Sequence, residues 1–268
     1  MQAPESAIAT DGLTRRFGDR VAVDRLTLSV TPGAIFGLLG PNGAGKSTTI
    51  KMLTTLLPPT SGSARVSGFD ITTEPARVRR AIGYVPQLLS ADGSLTGAEN
   101  LMLSARLYDI PRAERKPRIA EALAFMGLTE FARLLVRTYS GGMVRRLELA
   151  QAMLHHPAVL FLDEPTIGLD PIARRSVWER LQQARRQFAM TILITTHDME
   201  EAEVLCDTLA IMHAGVIAAL GAPAELRSQI GPDATLDDVF AHFAGGAITE
   251  GGSFRDIGRT RSTATRFG

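Results

Sequence analysis

The stretch "GPNGAGKST" (Gly40–Thr48) constrains this chain more than any other feature. It follows a short unbroken apolar run, "AIFGLLG" (Ala34–Gly40), and leads into "KSTTIKMLTTLL", where Ile50, Leu53 and Leu57 recur at helical spacing. An apolar run without alternation reads as a strand buried on both faces, the parallel-sheet kind. Strand, glycine-rich turn and helix in that order aim backbone N–H groups and the positive end of a helix dipole at one point. The pattern G-x-x-x-x-G-K-[ST] therefore predicts a loop that wraps phosphates. Its members are Gly40, Pro41, Asn42, Gly43, Ala44, Gly45, Lys46, Ser47 and Thr48. Lys46 is expected to reach the outer phosphates and Ser47 to ligate Mg2+.

Two further runs, "AVLFLDE" (Ala158–Glu164) and "TILITTH" (Thr191–His197), also read as buried strands that stop at polar residues. Helical stretches lie between and after them. Such alternation implies a mostly parallel sheet with helices on its faces. Ligands of open α/β sheets bind outside the carboxyl ends of the strands, so Gly40, Asp163 and His197 can converge. Asp163 would hold Mg2+ through its water shell, and Glu164 would act as general base for water. The alternative for this pair is a structural one, two carboxylates satisfied by helix N-termini or an arginine. His197 would donate to a γ-phosphate, although a lone histidine is more often structural.

"RVAVDRLTLSVTPG" alternates, with Val21, Val23, Leu26, Leu28 and Val30 at even steps and one slip near Asp24, which reads as a half-buried antiparallel strand. From Ser90 to Phe131 the pattern turns helical. "LTGAENLMLSARLYDI" opens with a Thr96–Glu99 capping box and sets Leu101, Ala105 and Tyr108 on one face. "RIAEALAFMGL" repeats the spacing, so a helical insertion into the α/β core is expected. His155 and His156 stand before a proline at a helix end, where helix-terminal charge or capping is expected. The lone cysteine, Cys206, excludes an intramolecular disulfide and reads as a buried small hydrophobe. Net charge is +1, which gives no global pull toward nucleic acid or anionic membrane. "TLAIMHAGVIAALGAP" (Thr208–Pro223) is too short to span a bilayer, and the N-terminus shows no secretory leader. Work at a membrane would need a partner that spans it. After Gly246 the chain is rich in Gly, Ser, Thr and Arg, and a disordered tail is expected.

A second cradle is encoded far downstream. "YSGGMVRRLELAQAM" (Tyr139–Met153) sets Ser140, Gly141 and Gly142 in front of another helical stretch. The ordered set "GPNGAGKST", Gln87, "YSGGM", "VLFLDEPT", "GLD" (Gly168–Asp170) and His197 resembles the nucleotide-binding subunit of ABC transporters, over about Ile8 to Gly221. The resemblance implies an α/β P-loop NTPase fold of the ABC ATPase type. It would have a mostly parallel core sheet, an N-terminal antiparallel β subdomain and an inserted helical subdomain at about 90–140. The nucleotide-binding domain would run 1–245, with a C-terminal extension over about 222–245 and the tail over 246–268.

The resemblance also explains the second cradle. Two copies would pair head to tail around two ATP, with Ser140, Gly141 and Gly142 on the γ-phosphate held by Lys46 of the partner subunit and Asp170 bridging to that site. Gln87 would sense Mg2+ and the attacking water beside the groove where a multi-span membrane permease docks. Phe17 matches the adenine-stacking position, a packing role being the alternative. Met143 stands where the family commonly has glutamine, and a thioether cannot replace an amide's hydrogen bonds. "YSGGM" with "RRLELA", and the ending "TLDDVFAHFAG" (Thr235–Gly245), resemble the daunorubicin/doxorubicin-resistance type of exporter ATPase. This implies export of a drug, lipid or other hydrophobic cargo, from a peripheral seat on the cytoplasmic side of the cell membrane. A homodimer is expected, with pairing to a paralogue as the alternative. Importer ATPases and soluble members acting on ribosomes or DNA are the alternatives in function. The uninterrupted domain and near-neutral charge argue against the soluble ones, and no nucleic acid partner is expected.

Overall fold

The computed structural model describes residues 6–245, and the expected tail lies outside the described residues. The chain runs β1 (Ile8–Phe17), β2 (Arg20–Val30), β3 (Ile35–Leu39), α1 (Lys46–Leu53), β4 (Ser61–Val66), β5 (Phe69–Asp70), α2 (Pro75–Ala81) and β6 (Ile82–Val85). The helical insertion follows with α3 (Gly97–Leu107) and α4 (Arg112–Phe125). Then come α5 (Gly141–Met153), β7 (Val159–Asp163), α6 (Pro171–Phe188), β8 (Thr191–Thr196), α7 (Met199–Leu205), β9 (Thr208–His213), β10 (Val216–Gly221), α8 (Pro223–Ser228) and α9 (Leu236–Gly245).

Every residue of β3, β7 and β8 is buried, as their unbroken apolar runs require. They lie in a six-stranded sheet of order β10-β9-β3-β8-β7-β6, parallel throughout except for the β9–β10 hairpin. The two faces of this sheet build different cores. Phe36, Leu38, Phe161 and Leu193 face α1 and the antiparallel strands, whereas Ile35, Leu39, Leu160 and Ile194 face α5 and α6 through Leu147, Val177 and Trp178.

The second sheet is antiparallel, order β2-β1-β4-β5. Val23, Leu26, Leu28 and Val30 of β2 point inward, and the slip near Asp24 is a bulge at Arg25, whose φ is +46°. β1 was not visible in the sequence because Gly12, at φ +56°, interrupts its alternation. In the insertion, Thr96 and Glu99 form the expected capping box, and Leu101 and Ala105 are buried. Thr208–Pro223 supplies the β9–β10 hairpin, and no helix among the described residues is long and apolar enough to cross a membrane. α8 and α9 fold back toward that hairpin through Leu226, Leu236 and Val239. Cys206 is buried beneath β3, and a Cβ on Gly37 would come within 2.6 Å of its Sγ.

The expected charge at the end of α5 is corrected for His155. Its ring stacks on Tyr108 with centroids 3.7 Å apart, and Nε2 lies 2.9 Å from the Ile82 carbonyl oxygen. Nδ1 is buried without a hydrogen-bond partner, so a second ring proton would have nowhere to go. Burial accordingly depresses the pKa to about 4. His156 does the terminating: with φ +56° it donates its N–H to the Met153 carbonyl at 2.9 Å.

A histidine held neutral in the fold titrates upward on unfolding, so its stabilisation is complete above about pH 6.5 and is lost as pH falls toward 4. From pH 7 to pH 5 this one group costs about 2 kcal/mol. Urea unfolding of wild type and His155→Gln at both pH values is expected to show a shallower pH dependence in the variant.

Candidate functional site

The order β9-β3-β8-β7 puts the end of β3 between two parallel neighbours, with the end of β7 one strand further along. Gly40 leaves β3 with its N–H on the Thr196 carbonyl at 3.2 Å, and a Cβ there would lie 2.3 Å from the Met212 carbonyl oxygen. Gly45 starts α1 at φ +107°, a conformation that favours glycine. No side chain caps α1, so the N–H groups of its first turn are left for a ligand.

Lys46 is buried, yet its Nζ donates to the carbonyls of Gly40 at 2.7 Å and Pro41 at 3.2 Å and lies 3.4 Å from Glu164 Oε1. Desolvation lowers its pKa, opposed by the charges of Glu164 and Asp163. Ser47 Oγ donates to Asp163 Oδ1 at 3.0 Å. Glu164 sits at φ +49°, an uncommon conformation for a side-chain-bearing residue, and its Oε2 is 3.1 Å from His197 Nδ1. A cleft of about 420 Å3 opens over these groups, lined by Phe17, Arg20, Ala22, Gln87, Glu164 and the Pro41–Thr48 loop. Phe17 is 47% exposed, with the Arg15 guanidinium 4.6 Å from the ring centroid.

The structure therefore gathers Phe17, the loop, Lys46, Ser47, Thr48, Gln87, Asp163, Glu164 and His197 around one cleft. Ser140, Gly141, Gly142 and Asp170 do not line it. Ser140 caps α5 by accepting the Met143 N–H at 3.3 Å, and Asp170 caps α6 by accepting the N–H groups of Ile172 and Ala173. The two caps adjoin: a Cβ on Gly142 would lie 2.7 Å from Ala173 Cβ, and one on Gly141 would lie 3.6 Å from Leu169.

Thr195 was missed in the sequence. Fully buried in β8, it donates to Asp163 Oδ1 at 2.5 Å and accepts the Glu164 N–H at 3.1 Å. The available signal was a hydroxyl inside a strand buried on both faces, since buried hydroxyls need partners. Arg20 at the cleft wall carried no signal beyond being an arginine.

A phosphate loop at one strand end, with two carboxylates and a histidine at the neighbouring ends, defines a nucleotide triphosphatase of the P-loop class. The family model described as ABC transporter matches residues 23–167, and the chain belongs to that family as an ATP-binding ATPase subunit. It is 46% identical to a daunorubicin/doxorubicin resistance ATP-binding protein of Streptomyces peucetius, over 85% of this chain and 69% of that one. It is 40% identical to a linearmycin resistance ATP-binding protein of Bacillus subtilis, over 85% and 73%. With a Nod factor export ATP-binding protein of Ralstonia nicotianae the identity is 44%, over 84% and 70%. A solved ATP-binding subunit of an ABC transporter superposes with TM-score 0.79 at 30% identity, covering 89% of this chain and 99% of that one. A dimeric ATP-binding cassette solved with ADP and Pi shares the fold at TM-score 0.72 and 24% identity, covering 80% and 98%.

Thr195→Val keeps shape and removes the hydroxyl. It is expected to lower kcat for ATP hydrolysis about 10- to 100-fold, a usual cost of losing an outer partner of a metal-binding group. The KM for ATP should stay within about threefold, as steady-state ATPase assays will show. Phe17→Ala is expected to weaken ATP binding about tenfold, the scale of one lost base–aromatic stack. Its melting temperature should stay near that of wild type, because the ring is half exposed.

Proposed function

We propose that this chain is the ATPase of an exporter and that two copies pair head to tail around two ATP. The observation that carries the reading is the separation of the two phosphate cradles. The Lys46 loop lines the cleft, whereas Ser140 and Gly141 are exposed at the start of another helix, outside it. A two-fold pair brings Ser140, Gly141 and Gly142 of one copy to the γ-phosphate held by Lys46 of the partner subunit, and that contact repeats and closes. Asp170 adjoins the same exposed corner and would bridge the two sites.

The residues fit Mg2+. Ser47 Oγ and Asp163 Oδ1 are hard oxygen donors already 3.0 Å apart, and Gln87 adds an amide oxygen to the same cleft. The metal, when bound, polarises the phosphate oxygens and neutralises developing charge. The remaining work falls to this chain. Lys46 and Glu164 are a nearly buried pair, and a phosphate entering the loop offers Lys46 a stronger partner. Glu164 is then released to take a proton from water, with His197 holding its other oxygen or donating to the phosphate. Phe17 would stack on adenine. Gly40, Pro41, Asn42, Gly43, Ala44, Gly45 and Thr48 would wrap the phosphates.

Leu88 and Leu89 follow Gln87 and are 81% and 55% exposed. Apolar residues so exposed beside a candidate sensor suit a multi-span membrane permease, which would seat this chain peripherally on the cytoplasmic face of the cell membrane. Two of the relatives are named for drug resistance and one for Nod factor export, which supports a drug, with a lipid or other hydrophobic compound as the wider class of cargo proposed. We read residues up to 245 as one nucleotide-binding domain, with its helical insertion at about 90–140 and an extension from about 222.

Glu164→Gln is expected to slow hydrolysis at least about 100-fold while ATP binding survives. Light scattering of this variant with Mg-ATP should give the mass of a dimer, and a monomer alone would overturn the head-to-tail pair.

A further inference from the structure

Arg145 and Glu148 lie one turn apart on α5, the helix that Ser140 caps, and both are nearly fully buried. Arg145 Nη1 is 3.0 Å from Glu148 Oε2. A buried pair on one helix is a poor stabiliser by itself, because both ions give up their water. Its placement has to be explained by what else the two side chains hold.

What they hold is the loop that carries Gln87. Arg145 donates from Nη1 to the Pro86 carbonyl at 2.8 Å and from Nη2 to the Gln87 carbonyl at 2.9 Å. Glu148 Oε1 accepts the Ser90 N–H, the Ser90 hydroxyl at 3.1 Å and the Ala91 N–H at 3.4 Å. The cation grips the carbonyls before Leu88–Leu89 and the anion grips the amides after them. Each charge thus meets the backbone pole it favours, and charge-assisted bonds of this kind are the stronger ones. Leu88 and Leu89, pinned at both sides, bow outward.

We propose that Arg145 and Glu148 are positioning residues for Gln87, locking its loop to α5 so that Gln87 and the Ser140 cradle move as one body. The inference rests on Gln87 acting in the cleft, where it is a lining residue. It gives the head-to-tail engine a transmission. A push on Leu88–Leu89 is carried by five hydrogen bonds to the helix whose first turn faces the other copy's nucleotide.

The double variant Arg145→Met, Glu148→Met tests this, since apolar residues of similar volume often maintain or raise stability where they replace a buried pair. Its melting temperature is expected to stay within a few degrees of wild type. Hydrogen exchange of the peptide covering residues 86–92 should rise at least about tenfold, and exchange in α1 and β3 should not change. The kcat for ATP hydrolysis should fall about tenfold, with the KM for ATP within about threefold. Ser90→Ala serves if the double variant does not fold: it removes only an exposed residue's hydroxyl bond to Glu148, with the same shifts expected at smaller size. Wild-type exchange at 86–92 would overturn the clamp. Raised exchange there with unchanged kcat would overturn the positioning role, and a rise spread evenly over α5 would reduce the pair to helix support. The exchange readout does not depend on catalysis, so a failed clamp and a failed role for Gln87 give different results.

Discussion

One carboxylate oxygen ties the site together. Asp163 Oδ1 accepts a hydrogen bond from Ser47 at the start of α1 and another from Thr195 inside β8. Three chain segments far apart in sequence are thereby joined at a single atom. The same Thr195 hydroxyl accepts the Glu164 N–H, so the residue after Asp163 is fixed as well. In a dry sheet such bonds are strong when complete and costly when broken. The positive φ of Glu164 fits this picture, because a conformation of that sort persists only where its surroundings over-determine it.

The parallel core was legible because burial on both faces leaves a plain signature. β3, β7 and β8 are runs of apolar and β-branched residues that end where chemistry begins. The phosphate loop was legible because its glycines answer to backbone geometry that no other residue meets cheaply. The capping box of α3 was legible for the same kind of local reason. What stayed hidden was tertiary. β1 carries a glycine that breaks its alternation, and β4 opens with "SGS". The state of His155 was misread because its neighbours Tyr108 and Ile82 come from other elements. Thr195, Arg145 and Glu148 look ordinary along the chain, and their roles appear only when β7, β8, α5 and the Gln87 loop are brought together.

Of the expected site residues, those around the first loop share a cleft, and Ser140, Gly141, Gly142 and Asp170 share a separate corner. That division follows from the fold. The cleft lies at the strand ends, while α5 starts at the rim of the helical insertion. Charge follows the same line. Lys46 is neutralised within its own cleft by Glu164, and the caps of α5 and α6 are served by their own side chains. A polyphosphate held between two copies, as proposed, would meet the uncapped N–H groups of α1 on one side and the start of α5 on the other.

The buried thiol under β3 has a practical meaning for anyone who wants to watch this protein move. Burial pushes the Cys206 pKa well up, and the side chain packs against Gly37. A thiol held protonated in this way is a slow nucleophile toward a maleimide dye, and the sequence contains no second cysteine. Fluorophores or spin labels can be attached at chosen surface positions in the natural background, without first making a cysteine-free version.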